Sequence, residues 1–568
     1  MDFAARALRY ANSVVTGETV ACGWVKKAAQ RHIDDLDRAA RGWDYYFSAE
    51  AANRVCAFLE LFPHIKGEWA RPRMIDGELT YPRIRLEDWQ CFVLCVPFGW
   101  LRVDNGKRRF TRVYVEVARK NAKSTLSSGV ANYMLTADGE PGAEVYSAAT
   151  TGEQARIVFN DSTKMAEREP EFLSAFGVEV GKHSMTVPET ASVYRPLNAE
   201  GSTLDGLNVH CGVIDELHAH KKRDLYDVLD SGTGARSQPL LWMITTAGSD
   251  RSGICYEQRI HVTKILDRVF QDESFFGIIY TLDDGDDWAD QAVWPKANPN
   301  FGISVMLEDM QNLCRKAQSM ASATNNFLTK RLNIWVNADS AWMDMRAWDA
   351  ASDPKLKLLD FVGQDCVISH DLASKVDIAA KMRLFWRDIE GIRHYYGFGA
   401  YFLNEAAVEE GRNSQYDGWA RRGLLTVTDG NVTDFSVIEN DFIDDASMFT
   451  VTEAPYDPFQ ATQFSQRMNE AGLSMIEVGQ TVKNFSEPMK WLEALVLQGR
   501  FHHDGDPVLT WMVSNVVCHR DAKDNIYPRK EREENKIDGL VALLMCLNRV
   551  ISSDNKASVY EEHGIRSV

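Results

Sequence analysis

The apolar positions follow three regimes along the chain. Through about residue 65, Ala, Leu, Val and Ile recur at helical spacing among Arg and Asp, as in "VKKAAQRHIDDLDRAA" from Val25 to Ala40, which predicts a small helical subdomain. From about residue 80 to 335, short β-branched or apolar runs (RVYVEV, EVYSAA, NVHCGVI, LLWMITT) alternate with longer helical stretches such as Ser124 to Leu135 and Gln154 to Glu167. That alternation is the mark of a parallel α/β sheet. A second α/β region follows "RLNIWVNADSAW", with strands expected at Asp365 to His370, Arg393 to Phe402 and Met448 to Ala454, and a helix from Ile537 to Arg549. Asp353 and Pro354 break the pattern between the two. The expected partition is therefore residues 1–65 helical, 66–345 a first α/β domain, 346–555 a second, and 556–568 a tail. No internal repeat is found, and the acidic "DDGDDWAD" from Asp283 to Asp290 reads as a solvated loop.

Composition narrows the classes. The chain has 568 residues, 45% of them hydrophobic, enough for two or more cores. A formal charge of -18 excludes wholesale coating of nucleic acid and leaves room only for a local basic surface. Leu101 to Lys123 supplies a candidate: Arg102, Lys107, Arg108, Arg109, Arg112, Arg119, Lys120 and Lys123 stand against Asp104 and Glu116 alone. The same stretch also reads as a solvated face plus a loop. Ten scattered cysteines without a C-x-x-C pair give neither a zinc site nor a disulfide framework and suit a reducing cytosol. The first residues lack a signal-peptide pattern and no long uncharged apolar run follows, so an intracellular protein with no membrane partner is expected.

The first candidate chemistry lies in "VEVARKNAKST", Val115 to Thr125. It has the strand, loop and helix context of the phosphate loop G-x-x-x-x-G-K-[ST], with Val117 and Ala122 where the glycines belong. Arg119, Lys120, Asn121, Ala122, Lys123, Ser124 and Thr125 would line such a loop, Lys123 neutralising the β- and γ-phosphates and Ser124 ligating Mg²⁺. "NVHCGVIDELH" is an apolar strand ending in Asp215, suited to hold Mg²⁺, and Glu216, suited to activate water. "LLWMITTAGSD" ends in Thr245 and Thr246, placed to sense a γ-phosphate, and Arg119 and Arg236 offer positive charge for phosphoryl transfer. Upstream, "LEDWQCFV" offers Trp89 to pack on adenine and Gln90 to read its edge. Each of these also has a structural reading, as a surface arginine, a buried tryptophan or a helix-surface glutamine.

The second constellation is three separated carboxylates. Asp371 closes "CVISHD", Asp457 follows a strand in "TEAPYDP", and Asp538 opens the helix "KIDGLVALLM". An RNase H-like fold brings one carboxylate from each of three such elements to a common two-metal site, and hard oxygen ligands suit Mg²⁺ or Mn²⁺. Asp377 is an auxiliary candidate, and His370, His502 and His503 are assigned no role. Each aspartate alone reads as readily as a cap or turn residue.

With both constellations in place the chain resembles the large terminase subunit of tailed bacteriophages, a DNA-packaging motor and nuclease. The resemblance rests on "YANSVVTGETVACGWVKKAAQRHIDDL", "DWQ", "VARKNAKS", "SAATTGEQA", "GSTLDGLNVHCGVIDELHAH", "TTAGSD", "FLTKRLNIW", "HDLASKVD", "GWARRGLLTVTDGNVTDF" and "KIDG". In that family the phosphate loop commonly reads R-K-N-G-K-S, so Val117 is ordinary and only Ala122 departs. The resemblance implies an α/β protein with an N-terminal P-loop ATPase domain, its small helical subdomain, and a C-terminal RNase H-like nuclease. It implies ATP and Mg²⁺ at Lys123, Ser124, Asp215 and Glu216, adenine reading by Gln90, coupling through Thr245 and Thr246, and two Mg²⁺ or Mn²⁺ ions on Asp371, Asp457 and Asp538. The implied partners are double-stranded DNA, a small terminase subunit and the portal protein of a procapsid. The chain would be a monomer in solution and a homo-oligomeric ring when assembled, in the host cytoplasm and transiently at the portal. Two alternatives stay open: a helicase-like ATPase whose RNase H-like domain only binds nucleic acid, and a nucleotide-gated scaffold.

Overall fold

The computed structural model describes the chain except residues 76, 150–151, 199–205, 221, 252, 337–341, 373–376, 411–412, 414, 459–460, 522–524, 531–533 and 563–568. It forms two compact units: Met1–Lys316 with Asn326–Val336, and Ala317–Asn325 with Asn337–Val568.

The first unit is built on an eight-stranded sheet. Its strands run in the order Phe275–Ile279, Arg112–Glu116, Leu240–Thr245, Val209–Asp215, Glu144–Ala149, Ser192–Asn198, Met185–Val187 and Glu179–Val180. The first six are mutually parallel and the last two turn back antiparallel. Val209–Asp215 and Leu240–Thr245 are buried at every position, which is why they read as continuous apolar runs rather than alternating ones. Helices Lys123–Thr136 and Gly152–Glu167 supply crossovers close to the expected positions. The N-terminal helices Phe3–Thr16, Gly23–Ala40 and Ala49–Leu59 share one continuous hydrophobic core with the sheet rather than a core of their own. A short strand, Tyr45–Phe47, lies among them, paired with Trp100–Arg102.

Two surface readings are corrected here. The basic stretch is largely consumed inside the unit: Arg108 pairs with Asp138, Arg109 with Asp35 and Glu273, and Arg112 with Asp230, while Lys123 is buried. Of the eight, Arg119 and Lys120 are exposed, and Arg102, Lys107 and Arg112 are half-buried. The acidic run is not a free loop, because Lys296 bridges Asp283 and Asp286, and Asp283 accepts the Gly23 N–H at 2.7 Å.

The second unit holds a seven-stranded mixed sheet in the order Thr426–Thr428, Ile392–Asn404, Ala379–Ile389, Asp365–Asp371, Thr450–Tyr456 and Met475–Glu477, with Phe501–His503 also on Ile392–Asn404. The long hairpin Ala379–Ile389 and Ile392–Asn404 closes through Glu390 and Gly391, both at positive φ (52° and 79°), the turn whose twist matches that of the strands. Asp365–Asp371 is antiparallel to Ala379–Ile389 but parallel to Thr450–Tyr456, a strand that begins two residues later than expected. One sheet face packs on Leu540 to Leu547 of helix Asp538–Glu562, and the other on Phe361, Phe442, Phe449 and Phe464. That helix runs to Glu562, well into the stretch expected as a tail, and 563–568 lie outside the described residues.

Arg109 joins the N-terminal helices to the sheet edge with no exposed surface, its guanidinium 4.5 Å from the Trp43 ring centroid. Removing one partner of such a pair strands the other charges, at about 3–5 kcal/mol. In calorimetry, Arg109→Ala is expected to lower the melting transition of the first unit and leave that of the second in place; an unshifted first transition would show the pair to be dispensable.

Candidate functional site

The phosphate loop leaves the carboxyl end of Arg112–Glu116 and enters helix Lys123–Thr136. Lys120 and Ala122 both take positive φ, 73° and 55°, so the left-handed turn that glycine would serve is made here by alanine, at about 1–2 kcal/mol. The turn is held by Asn121, which is fully buried. Its amide donates to Ala118 O (3.1 Å) and Asn298 Oδ1 (3.0 Å) and accepts the Asn300 N–H (3.0 Å). Ser304 Oγ donates to Lys120 O at 2.6 Å. No side chain caps the helix, so the first-turn N–H groups of Lys123, Ser124 and Thr125 keep the polarity that suits an anion. Lys123 Nζ turns onto Val117 O (3.3 Å) and Ala118 O (3.4 Å), and burial holds its pKa below the usual lysine value.

The acidic pair stands across from it. Ser124 Oγ donates to Asp215 Oδ2 at 3.3 Å. Burial first, then the adjacent Glu216, push the Asp215 carboxyl up to about 6. Burial acts on Glu216 in the same sense, but the His218 hydrogen bond and the charges of Lys123 and Arg119 outweigh it and hold that carboxyl below its usual range. Thr245 and Thr246 are fully buried at the end of the neighbouring strand, and Thr246 Oγ1 donates to Glu216 Oε2 at 3.4 Å. Arg119 is exposed on the loop beside these groups.

Three expectations change. Arg236 lies at the opposite, amino-terminal edge of the sheet, donating to Gly142 O (2.6 Å) and Asn208 O (3.0 Å), the residues that lead into two parallel strands. It staples those strands and is not brought to the phosphate loop of its own chain. The Gln90 amide oxygen accepts the Glu87 N–H at 2.8 Å in a capping box. The Trp89 indole is buried, donating to Asn300 Oδ1 at 2.6 Å, so it supports the loop from within the core. An open cleft of about 830 Å³ lies beside Trp89, Asn298 and Pro299, with Arg9 and Tyr10 among its lining residues.

Sequence reasoning missed three residues here. Asn298 and Asn300 anchor Asn121, and their only signal was two asparagines flanking a proline in a loop. Glu116, counted as a stray surface acid, is fully buried in the phosphate-loop strand, where Arg259, Tyr114, Asn333 and Trp335 bond to it.

In the second unit His370 pairs in register with Tyr456, so Asp371 closes its strand beside Asp457, which follows the end of the neighbouring parallel one. Asp538 begins the helix packed on that sheet. Burial, then the charges of Asp538 and Asp457, raise the Asp371 carboxyl well above its usual range, against a hydrogen bond from Gln480 Nε2 at 2.9 Å. Burial, then Asp377, push Asp538 up to about 6. Asp377 is neutralised by Lys536 and Lys530, which makes it an ion-pair residue rather than an open ligand. His370 is buried among Phe442, Tyr456 and Phe464, and His503 stacks on Trp348 and bonds its carbonyl oxygen at 2.9 Å. Among the described residues no three acids, histidines or cysteines are grouped so as to hold a metal ion as they stand. The mutual repulsion of Asp371, Asp457 and Asp538 is nonetheless what a hard divalent cation relieves, and an all-oxygen donor set fits it.

Two family models match the chain. Residues 88–264 match the ATPase domain of the terminase large subunit and residues 269–554 its endonuclease domain. The chain belongs to the terminase large subunit family. It is an ATPase and a nuclease of the DNA-packaging machinery, using nucleotide and divalent metal. The endonuclease match begins inside the first unit, taking in its strand Phe275–Ile279. The chain is 40% identical over 377 residues to Protein YmfN of Escherichia coli (strain K12), covering 64% of this chain and 83% of that protein. It is 27% identical over 502 residues to the terminase large subunit of Enterobacteria phage HK97, covering 87% and 94%. The crystal structure of the HK97 bacteriophage large terminase aligns over 88% of this chain and 99% of its own at 25% identity, with a TM-score of 0.42. Among the described residues no helix is long and apolar enough to cross a membrane.

Two outcomes follow from the geometry. Ala122→Gly is expected to keep nucleotide affinity within about threefold of the parent, since the turn is already made, whereas the β-branched Ala122→Val should weaken it at least about tenfold; equal affinities, by equilibrium titration, would show that the turn does not govern binding. In chelator, the folded second unit keeps a proton on Asp538 up to about pH 6, whereas an unfolded aspartate releases it near pH 4. Stability therefore falls as pH rises through that window. The melting temperature should drop from about pH 4 to 6 in the parent and less in Asp538→Asn, and identical profiles would contradict the crowding of these acids.

Proposed function

We propose that the edge of the first sheet hydrolyses ATP to move double-stranded DNA, and that the three aspartates of the second sheet cut it. The supporting observation is convergence: Ser124, Asp215, Glu216 and Thr246 come from three separate chain segments to one place and bond to one another there. Lys123 would leave the carbonyls of Val117 and Ala118 for the phosphates, and the N–H groups of Ser124 and Thr125 would receive phosphate oxygens. Ser124 and Asp215 would hold the Mg²⁺ that arrives with the nucleotide and neutralises its charge. Glu216 would orient the attacking water and accept its proton. Thr245 and Thr246 would pass the state of the site to the rest of the unit. Arg119 is the arginine suited to the transferred phosphoryl group, in its own chain or a neighbour's. The adenine would lie in the cleft beside Trp89 and Pro299.

In the second unit Asp371, Asp457 and Asp538 would hold two ions, Mg²⁺ or Mn²⁺, whose charge activates water and stabilises the leaving oxygen. Gln480 would keep the Asp371 carboxylate oriented. A motor that moves any sequence grips the DNA backbone, so binding should weaken steeply with salt. The small terminase subunit, the portal protein of a procapsid and a ring of copies of this chain are the partners that this reading implies, in the host cytoplasm.

One paired experiment tests both halves. Lys123→Ala is expected to lose ATP turnover by about 10²-fold or more while still cutting plasmid with Mn²⁺, and Asp371→Ala to lose cutting while still hydrolysing ATP. Turnover intact in the first or cleavage intact in the second would remove the corresponding assignment.

A further inference from the structure

We propose that His218 is a positioning residue that holds the Glu216 carboxylate in its working orientation, and that Lys330 enables it by fixing which ring nitrogen carries the proton. The inference rests on the reading of Glu216 as the group that takes the proton from water.

Glu216 follows the last residue of its strand and is itself left-handed, with φ of 50°, its N–H shared between Ile244 O and Asp215 Oδ1 at 3.0 Å each. A carboxylate on such a turn needs an external hold. His218 Nδ1 lies 3.2 Å from Glu216 Oε2, 3.2 Å from Thr245 Oγ1 and 3.3 Å from Thr246 Oγ1. Its other nitrogen, Nε2, lies 3.0 Å from Lys330 Nζ. A lysine ammonium has donors and no acceptor, so Nε2 must present its lone pair. The ring is then neutral with its proton on Nδ1, aimed at the carboxylate. Burial, together with the charge of Lys330, lowers the His218 pKa and favours the same form.

That tautomer matters for the chemistry. A neutral donor orients Glu216 without cancelling its charge, whereas an imidazolium would pair with it and weaken it as a base. The His218 backbone N–H is bonded to Thr245 Oγ1 at 3.0 Å, and the missing side chain of Gly248 leaves space for the ring, since a Cβ there would meet His218 Cβ at 3.2 Å. Lys330 also reaches the phosphate loop, its carbonyl accepting the Arg119 N–H at 2.9 Å. One residue near the end of helix Ala321–Arg331 thus touches both the loop and the group that aligns the base.

The test measures ATP turnover and nucleotide dissociation constants for the full chain and for His218→Ala, His218→Asn, Lys330→Met, the double variant His218→Ala with Lys330→Met, and Glu216→Gln. His218→Ala is expected to lower kcat about 10- to 100-fold with nucleotide affinity within about threefold. His218→Asn should recover part of that loss, since its amide nitrogen takes the place of Nδ1. Lys330→Met should lower kcat less, and should add little to His218→Ala, because both act through one contact. An unchanged kcat in His218→Ala, a loss matched by weaker nucleotide binding, or fully additive effects would overturn the proposal. If His218→Ala does not fold, His218→Asn and Lys330→Met decide it: kcat lowered in Lys330→Met and kept above about a tenth of the parent's in His218→Asn supports it, and an unchanged kcat in Lys330→Met or a larger loss in His218→Asn overturns it. Glu216→Gln separates the two levels: full turnover there removes the base assignment itself, whereas lost turnover beside an unaffected His218→Ala removes only the role of His218.

Discussion

A carboxylate without exposed surface sits in the strand that carries the phosphate loop, and the first unit is arranged to satisfy it. Glu116 is bonded by Arg259, Tyr114, Asn333 and Trp335. Leaving such a charge unmatched costs several kcal/mol, so these donors cannot be placed elsewhere. Their positions fix much else: the Asn333 amide accepts the Ala247 N–H just past the two threonines at 2.6 Å, and Val336 N–H bonds Gly248 O at 3.2 Å. The segment from Lys330 to Val336 is thereby laid along the end of the threonine strand, which puts Lys330 in reach of His218.

Buried acids are treated in two opposite ways, and the contrast separates structural from chemical carboxylates. Glu116 is fully matched by fixed donors, as is Asp445, bonded by Lys381 and Arg383. Asp371 and Asp538 instead stand among like charges, with Gln480 as the donor to Asp371. A fold that keeps acids crowded has a use for a mobile counter-charge. Asp215 and Glu216 fall between these cases: burial raises both carboxyls, and it is opposed by Lys123 and Ser124 at Asp215 and by His218 and Lys123 at Glu216.

Much of the architecture was legible because its signals are local. The fully buried parallel strands read as unbroken apolar runs; Lys123 and Ser124 open the helix after one of them, and Asp215 and Glu216 stand at the end of another. Asp371, Asp457 and Asp538 were legible for the same reason, each at the terminus of a periodic element. What failed were statements about where a polar side chain points. Arg236 follows a glycine turn that looks suited to catalysis, but its guanidinium is taken by carbonyls at the far edge of the sheet. The eight basic residues of Leu101 to Lys123 look like a surface, yet three of them, Arg108, Arg109 and Arg112, are paired with acids as distant as Asp230 and Glu273. His218 lay in plain view after the acidic pair, and its role depends on Lys330, more than one hundred positions away, which no local pattern reveals.

The central claim is that one chain carries two separate sites for divalent ions, one completed by nucleotide and one by acids alone. It is tested most directly by anomalous scattering from crystals of the full chain grown with Mn²⁺ and a non-hydrolysable ATP analogue. The account predicts one peak between Ser124, Asp215 and the analogue's phosphates, and peaks among Asp371, Asp457 and Asp538 that persist when the nucleotide is omitted. A nucleotide bound away from Lys123, or an absence of manganese at the three aspartates, would contradict it.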